Sequence, residues 1–186
     1  MSNANEVGWW ALYSRPRHEK KLADLLNERG IEAYTPVRKV LKQWSDRKKW
    51  VEEPLIRSYT FVRAIEKRYF DALNTHGAVR YVWFSGKAAI IPNRQILTLK
   101  ALAGCDLEAE ALSSDFKPGA PVKVIAGPLI GTIGELVSMA GHNRVIIRID
   151  HIETVISVTI SPLLLEKLPV LKEGKKEGKG KYERFW

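Results

Sequence analysis

A chain of 186 residues with 45% hydrophobic content holds one ordinary domain or two small ones, and none of its apolar runs approaches bilayer length. A single cysteine, Cys105, excludes an internal disulfide framework and fits a reducing cytoplasm, and the N-terminus lacks the basic-then-apolar pattern of a signal peptide. The formal net charge of +9 is unevenly spread: residues 1–103 carry 19 Lys and Arg against 10 Asp and Glu, residues 104–168 carry 5 against 8, and residues 169–186 carry 6 against 3. A basic half joined to a mildly acidic half predicts two domains with different partners, of which only the first is drawn to a polyanion.

Residues 1–8 are polar and short and read as a frayed end. "WWALYS" (Trp9 to Ser14) is apolar, aromatic and brief, which predicts a largely buried strand. Pro16 stands where a helix can begin. Leu22, Leu25, Leu26 and Arg29 then share one helical face, and Gly30 supplies the stop. "IEAYTPVRKVLKQW" and "KKWVEEPLIRSYTFVRA" flank Ser45-Asp46-Arg47, predicting a long two-stranded ribbon with that trio at its tip and Trp50 in the core, back in the strand body. "EKRYFDALNTHG" is a second helix with Tyr69, Phe70 and Leu73 inward and Gly77 at its end. "VRYVWFSGKAAII" holds a strand and a second one after Ser85-Gly86. "PNRQILTLKALAG" is a third helix, capped by Asn93, with Ile96, Leu99 and Leu102 as its apolar stripe.

This order predicts an α+β sandwich, helices on a mostly antiparallel sheet, over residues 9–104. Residues 105–116 are polar, acidic and aperiodic, and read as a linker. From 117 to 168 the chain turns β-branched, with turn signals at Gly127-Pro128, Gly131, Gly141-His142-Asn143 and Asp150-His151, which predicts a small, strongly bent all-β barrel. Residues 169–186 have almost no apolar content and read as a disordered basic tail.

Three clusters stand out as binding candidates. The ribbon gathers Arg38, Lys39, Lys42, Arg47, Lys48 and Lys49 around the lone acid Asp46, with Trp44 among them. Either these charges keep a hairpin edge soluble, or they meet phosphates while Trp44 stacks on a base or sugar. Arg15, Arg17 and His18 lie at a strand-to-helix junction, where free backbone N–H groups attract phosphate. Leu129 and Ile130 sit between Gly-Pro and Gly, as either an exposed binding tip or inward plugs of the barrel. No enzyme is predicted, and no metal or cofactor. The four histidines (His18, His76, His142, His151) lack metal-ligand spacing, Cys105 lies among acids that would raise a thiol pKa, and no phosphate-cradling glycine loop precedes a helix.

"GPLIGTIGELV" resembles a KOW motif, in which the glycine at Gly131 lets a tight turn lie close to the barrel wall. "WWALYSRPRHEKKLADLL", "QWSDRKKW", "PLIRSYTFVRA" and "VRYVWFSGKAAIIP" follow in the order found in the NGN domain of NusG-type transcription elongation factors. The wording is most similar to the UpxY-type antiterminators, specialised paralogues tied to surface-polysaccharide operons. The resemblance covers residues 9–168. It implies an NGN domain over 9–104 that binds the clamp helices of the RNA polymerase largest subunit beside upstream or non-template DNA, suppressing pausing or termination. It also implies a KOW domain over 117–168 that recruits a further partner, a small-subunit ribosomal protein or Rho. Matched residue by residue, Tyr13, Ile56, Tyr59 and Phe61 fall on positions lining the clamp-helix pocket, and Ile96 joins the patch from the third helix. Where the family has an aromatic-Pro-Gly or similar sequence this chain has Ile56-Arg57-Ser58. The resemblance favours DNA proximity for the ribbon. It implies a cytoplasmic monomer without membrane contact. The competing reading is a KOW-containing RNA-binding or ribosome-associated protein, which calls for a basic C-terminal half where this one is acidic. The glycines at 127, 131 and 134, with Pro128, oppose a helical alternative for that half.

Overall fold

The computed structural model describes residues 7–64, 68–105, 107–113, 119–139 and 142–169. The expectations for the chain before Val7 and from Val170 onward lie outside the described residues. The N-terminal half runs β1 (Gly8–Ser14), α1 (Glu19–Glu28), β2 (Glu32–Tyr34), β3 (Val37–Gln43), β4 (Lys48–Pro54), β5 (Tyr59–Ala64), α2 (Tyr69–Leu73), β6 (Ala78–Tyr81), β7 (Trp83–Phe84), β8 (Lys87–Ala88), β9 (Ile90–Ile91) and α3 (Asn93–Ala103). The aromatic strand predicted from "WWALYS" is the centre of an antiparallel sheet. β1 pairs with β5 on one side and with β6 and β9 on the other, and β2 extends the far side of β5.

Side chains alternate across a strand, so β1 and β5 give this sheet two apolar faces. On one, Trp10, Leu12, Val62, Ala64, Ala33 and Tyr81 pack against Leu22, Ala23 and Leu26 of α1 and Ala72 of α2. On the other, Trp9, Ala11, Tyr13, Tyr59 and Phe61 join Ile96, Leu99 and Leu102 of α3 in a core that continues into the C-terminal half. The predicted stripe of α3 is therefore observed; of the α1 face Leu22 and Leu26 are buried as read, whereas Leu25 is half-buried, Arg29 is exposed and Ala23 turns inward. Three details differ. Phe70 is exposed, and Ala72 fills the inward position of the short α2. Asn93 does not cap α3; its Oδ1 accepts the indole N–H of Trp9 at 3.2 Å, and Pro92 precedes the helix instead. Trp50, expected in the core, is 64% exposed, because among the described residues β3 and β4 pair only with each other and no layer lies over that face of the ribbon. The ribbon tip is placed as predicted: the register runs from Val37↔Pro54 to Gln43↔Lys48, and Trp44 N–H closes the turn onto the Arg47 carbonyl at 2.8 Å.

The C-terminal half is all antiparallel: β10 (Ala109–Ser113), β11 (Ala120–Val124), β12 (Ile133–Met139), β13 (His142–Arg148), β14 (Thr154–Thr159) and β15 (Leu165–Lys167), in the spatial order β10-β14-β13-β12-β11-β15. The α+β architecture with a separate all-β unit is thus the one expected. The stretch 105–116 is more than a linker, since β10 pairs with β14 from Ala109↔Val158 to Ser113↔Thr154. Its acids masked the strand pattern: Glu110 points outward to Arg144 at 3.5 Å while Ala109 is buried.

Two glycines of the KOW-like stretch serve different needs. Gly131 has φ +83 with open space where a Cβ would stand, so it supplies turn conformation and not close approach. Close approach belongs to Gly134, where a Cβ would lie 2.5 Å from Val145 Cγ1 and 2.8 Å from the Ile146 carbonyl oxygen. Gly134→Ala should therefore destabilise the chain by about 1–3 kcal/mol through overpacking against backbone, and Gly131→Ala by about 1–2 kcal/mol through its left-handed φ. Urea unfolding separates the two causes. Asn at 131 should recover part of the loss because Asn tolerates that φ, whereas Asn at 134 should be worse than Ala.

Candidate functional site

Four elements converge on the α3 side of the N-terminal sheet. β1 brings Tyr13, the turn before β5 brings Ile56, β5 brings Tyr59 and Phe61, and α3 brings Ile96, all within one apolar cluster. Ile56, Tyr59, Phe61 and Ile96 are buried and Tyr13 is half-buried. The Tyr59 hydroxyl donates to the Tyr13 hydroxyl at 2.6 Å, the two ring centroids lie 4.5 Å apart, and the Arg80 guanidinium stands 4.6 Å from the Tyr13 ring. Burial pushes the Tyr59 phenol up, reinforced by the Tyr13 hydrogen bond and the nearby Glu153 carboxylate. The unusual Ile56-Arg57-Ser58 turn is held by a residue that sequence reasoning passed over. Buried Glu19 accepts the Ser58 N–H at 2.8 Å, Ser58 takes φ +62, and its carbonyl accepts the Ser14 N–H at 3.0 Å. Arg57 of this turn is exposed.

The C-terminal sheet lies against this same face. The Gln95 side-chain oxygen accepts the Asp150 N–H at 2.9 Å, the Phe84 ring lies tilted against His151 with centroids 4.2 Å apart, and Arg38 at the ribbon root donates to the Ala109 carbonyl of β10. Between α3 and the sheet runs a cavity of about 390 Å³ whose apolar lining includes Leu97, Ala101, Pro128, Ile130, Ile133 and Ile147. None of Gln95, Phe84 and His151 was singled out for this contact in the sequence. A glutamine beside an apolar stripe carries no signal of which surface it meets.

The remaining candidates divide. Leu129 and Ile130 part company: Leu129 is 2% exposed and plugs the core, while Ile130 is 67% exposed at the tip. At the strand-to-helix junction Arg15 and Arg17 are exposed and Arg17 takes φ +65. His18 caps α1 by position, its Nδ1 lies 3.2 Å from the Pro16 carbonyl, and its ring faces His76 at 5.7 Å. The Glu19 carboxylate occupies the first turn there, so the helix end is less open to anions than the sequence implied. In the ribbon Lys42 pairs with Glu53, and Lys20 of α1 pairs with Glu52. These hydrogen bonds hold both carboxyls below the usual carboxylate range. Trp44 is 49% exposed with the Arg47 guanidinium 5.8 Å from its ring, and Lys48 and Lys49 are exposed beside it. Among the described residues, no group of three or more His, Cys, Asp or Glu side chains is arranged to hold a metal ion, and no helix is long and apolar enough to cross a membrane.

The family model described as transcription termination factor nusG matches residues 8–100, half of the chain and the whole of the sheet that carries this face. The chain belongs to the NusG family. Its members are non-enzymatic factors of transcription termination and elongation. Among solved structures this NusG-family chain is similar to one of Thermotoga maritima NusG addressing domain interaction, at 20% identity and a TM-score of 0.57, covering 90% of this chain and 100% of that one. That likeness concerns the fold. A structure of the MjSpt4:Spt5 complex in conformation A shares 13% identity at a TM-score of 0.29, over 86% of this chain and 97% of that one, a likeness too weak to carry an argument. No curated protein matches the chain.

The tyrosines of the site predict alkaline sensitivity. Burial pushes Tyr34, whose hydroxyl donates to the Leu99 carbonyl at 3.4 Å, up to about 12. A phenol is neutral while protonated, and in the unfolded chain it titrates near pH 10. The stability tied to Tyr34 is therefore complete below about pH 10 and is lost as the pH climbs towards about 12. Tyrosinate absorbance followed beside circular dichroism should show a late fraction that ionises together with unfolding. Ionisation of all tyrosines near pH 10 with the fold intact would contradict this.

Proposed function

We propose that this NusG-family factor binds RNA polymerase through the face built by Tyr13, Ile56, Tyr59, Phe61 and Ile96, seating it on the clamp helices of the largest subunit and suppressing pausing or termination. The observation that carries the reading is the convergence of these residues from β1, β5, the turn before it and α3 on one sheet face, with the C-terminal sheet lying against it. Engagement of polymerase then requires the seam between the two sheets to open. The ribbon cations Lys42, Arg47, Lys48 and Lys49 with Trp44, and Arg15, Arg17 and His18 at the junction, face the DNA beside the transcription bubble. Residues 9–104 act as the polymerase-binding domain and 117–168 as the KOW domain, with β10 entering the second from the segment between them. Exposed Ile130 offers the C-terminal tip to a further partner, a small-subunit ribosomal protein or Rho. The motif wording supports a specialised UpxY-type antiterminator serving surface-polysaccharide operons in the cytoplasm.

Co-elution of the full chain with core bacterial RNA polymerase tests the reading. Retention of the wild type and loss with Tyr13→Ala, checked for folding by circular dichroism, is the expected pair of results. Retention by free RNA and not by polymerase would sink it. The seam adds a second test. A hydrogen bond contributes about 0.5–1.5 kcal/mol and an aromatic pair a similar amount. Gln95→Ala combined with Phe84→Ala should thus raise the open population and the apparent polymerase affinity about tenfold. Unchanged affinity in that double variant would mean that the seam does not limit binding.

A further inference from the structure

Glu19, the first residue of α1, is 3% exposed, and none of the ion pairs among the described residues includes it. Taking a carboxylate out of water costs free energy unless the protein returns its hydrogen bonds. Here backbone returns them. Glu19 Oε1 accepts the Ser58 N–H at 2.8 Å, and the N-terminal end of α1 favours a negative charge in its first turn. The main chain of Glu19 is itself pinned, since its carbonyl accepts the buried hydroxyls of Thr35 at 3.1 Å and Thr60 at 3.3 Å. The carboxylate is thus aimed at a turn that needs holding. Ser58 takes φ +62, a conformation that a residue with a side chain adopts at a cost, and it directly precedes Tyr59. Its carbonyl accepts the N–H of Ser14, the neighbour of Tyr13, at 3.0 Å.

The side from which this hold comes decides its role. Glu19 belongs to α1, whose Leu22, Ala23 and Leu26 pack on one face of the N-terminal sheet, whereas Tyr13, Ile56 and Tyr59 belong to the cluster on the other. The C-terminal sheet that completes the cover of the second face takes no part in the Glu19–Ser58 bond. From this geometry we infer that Glu19 is a positioning residue for polymerase binding: it keeps residues 56–59 in their binding shape once the C-terminal sheet has moved off. The inference rests on the reading of that face as the polymerase site, and adds to it a residue that itself touches no polymerase. A face already set in its bound shape loses less conformational freedom on binding, so the hold acts on affinity. Without it Ser58 is free to leave the left-handed region, and Ile56 and Tyr59 shift with it.

Two variants of the full chain separate reach from charge. Glu19→Asp keeps the negative charge at the helix end but is one methylene too short for the Ser58 N–H. Glu19→Gln loses the charge but keeps an oxygen at the right distance. Ala23→Gly, which weakens α1 without touching the turn, is the control for stability alone. The first assay contains no polymerase and follows amide hydrogen exchange by NMR. Glu19→Asp should speed exchange at Ser58 by about tenfold more than at Val62 in the core of β5, Glu19→Gln should do so far less, and Ala23→Gly should show no such preference for Ser58. The second assay measures affinity for core bacterial polymerase at a temperature where every variant is folded. Glu19→Asp should bind about tenfold more weakly than the wild type, Glu19→Gln should keep most of the affinity, and Ala23→Gly should bind normally. The inference is overturned if Glu19→Asp binds like the wild type, if Glu19→Gln loses as much as Glu19→Asp, or if Ala23→Gly loses as much as either. Wild-type exchange at Ser58 in Glu19→Asp would sink the positioning hold alone. Failure of the wild type to bind polymerase, with the exchange results as expected, would sink the reading of the face and with it any role of the hold in affinity.

Discussion

A β-sheet whose central strand is apolar on both sides must be covered twice. In β1, Trp10 and Leu12 point one way and Trp9, Ala11 and Tyr13 the other, and β5 repeats the pattern with Val62 against Tyr59 and Phe61. Helices α1 and α2 satisfy one face. The other is longer than α3 can cover, and the C-terminal sheet completes it. Burial of a large side chain contributes about 1.5–3 kcal/mol, so this second cover is a substantial part of what holds the two halves together. The constraint also explains why Ile56, Tyr59, Phe61 and Ile96 are buried: the chain's own C-terminal half completes the cover over that face.

The ribbon obeys a different rule. Lys20 on Glu52 and Arg38 on the Ala109 carbonyl tie it down, and among the described residues it pairs with no other strand. With no second layer over it, strand alternation no longer separates inside from outside. Aromatics and cations that would be sorted by burial elsewhere stay together on the surface. This resolves the juxtaposition of Trp44, Trp50 and three consecutive cations, Arg47 to Lys49, as a surface feature, with neither indole serving as an anchor in the core.

Much of the architecture was legible because it is written in local periodicity. The pair Leu22 and Leu26, the stripe Ile96/Leu99/Leu102, the apolar strand β1 and the turn at Ser45-Asp46-Arg47 each lie within a few residues, and each is observed. What was missed depends on neighbours remote in sequence. Trp50 looks like a core residue until one knows that none of the described elements stacks on that face of the ribbon. β10 looks like a linker until Arg144 and β14 arrive to pair with it. Glu19 reads as an ordinary first-turn acid, yet it holds a turn 39 residues away. For the candidate face, the family resemblance named the five residues, strand alternation accounts only for Tyr59 and Phe61 sharing a side of β5, and no pattern in the sequence specified that the C-terminal half would lie over them.

The placement of β10 sets a leash. Only residues 104–108 separate the end of α3 from the first residue of β10, a contour of roughly 20 Å when fully drawn out. As long as β10 stays zipped to β14, the C-terminal sheet can swing away from α3 but cannot travel farther than that. If β10 peels away, the contour from the end of α3 to β11 at Ala120 lengthens to roughly 55 Å. The five-residue ladder from Ala109 to Ser113 thus sets the length of the tether between α3 and the C-terminal sheet.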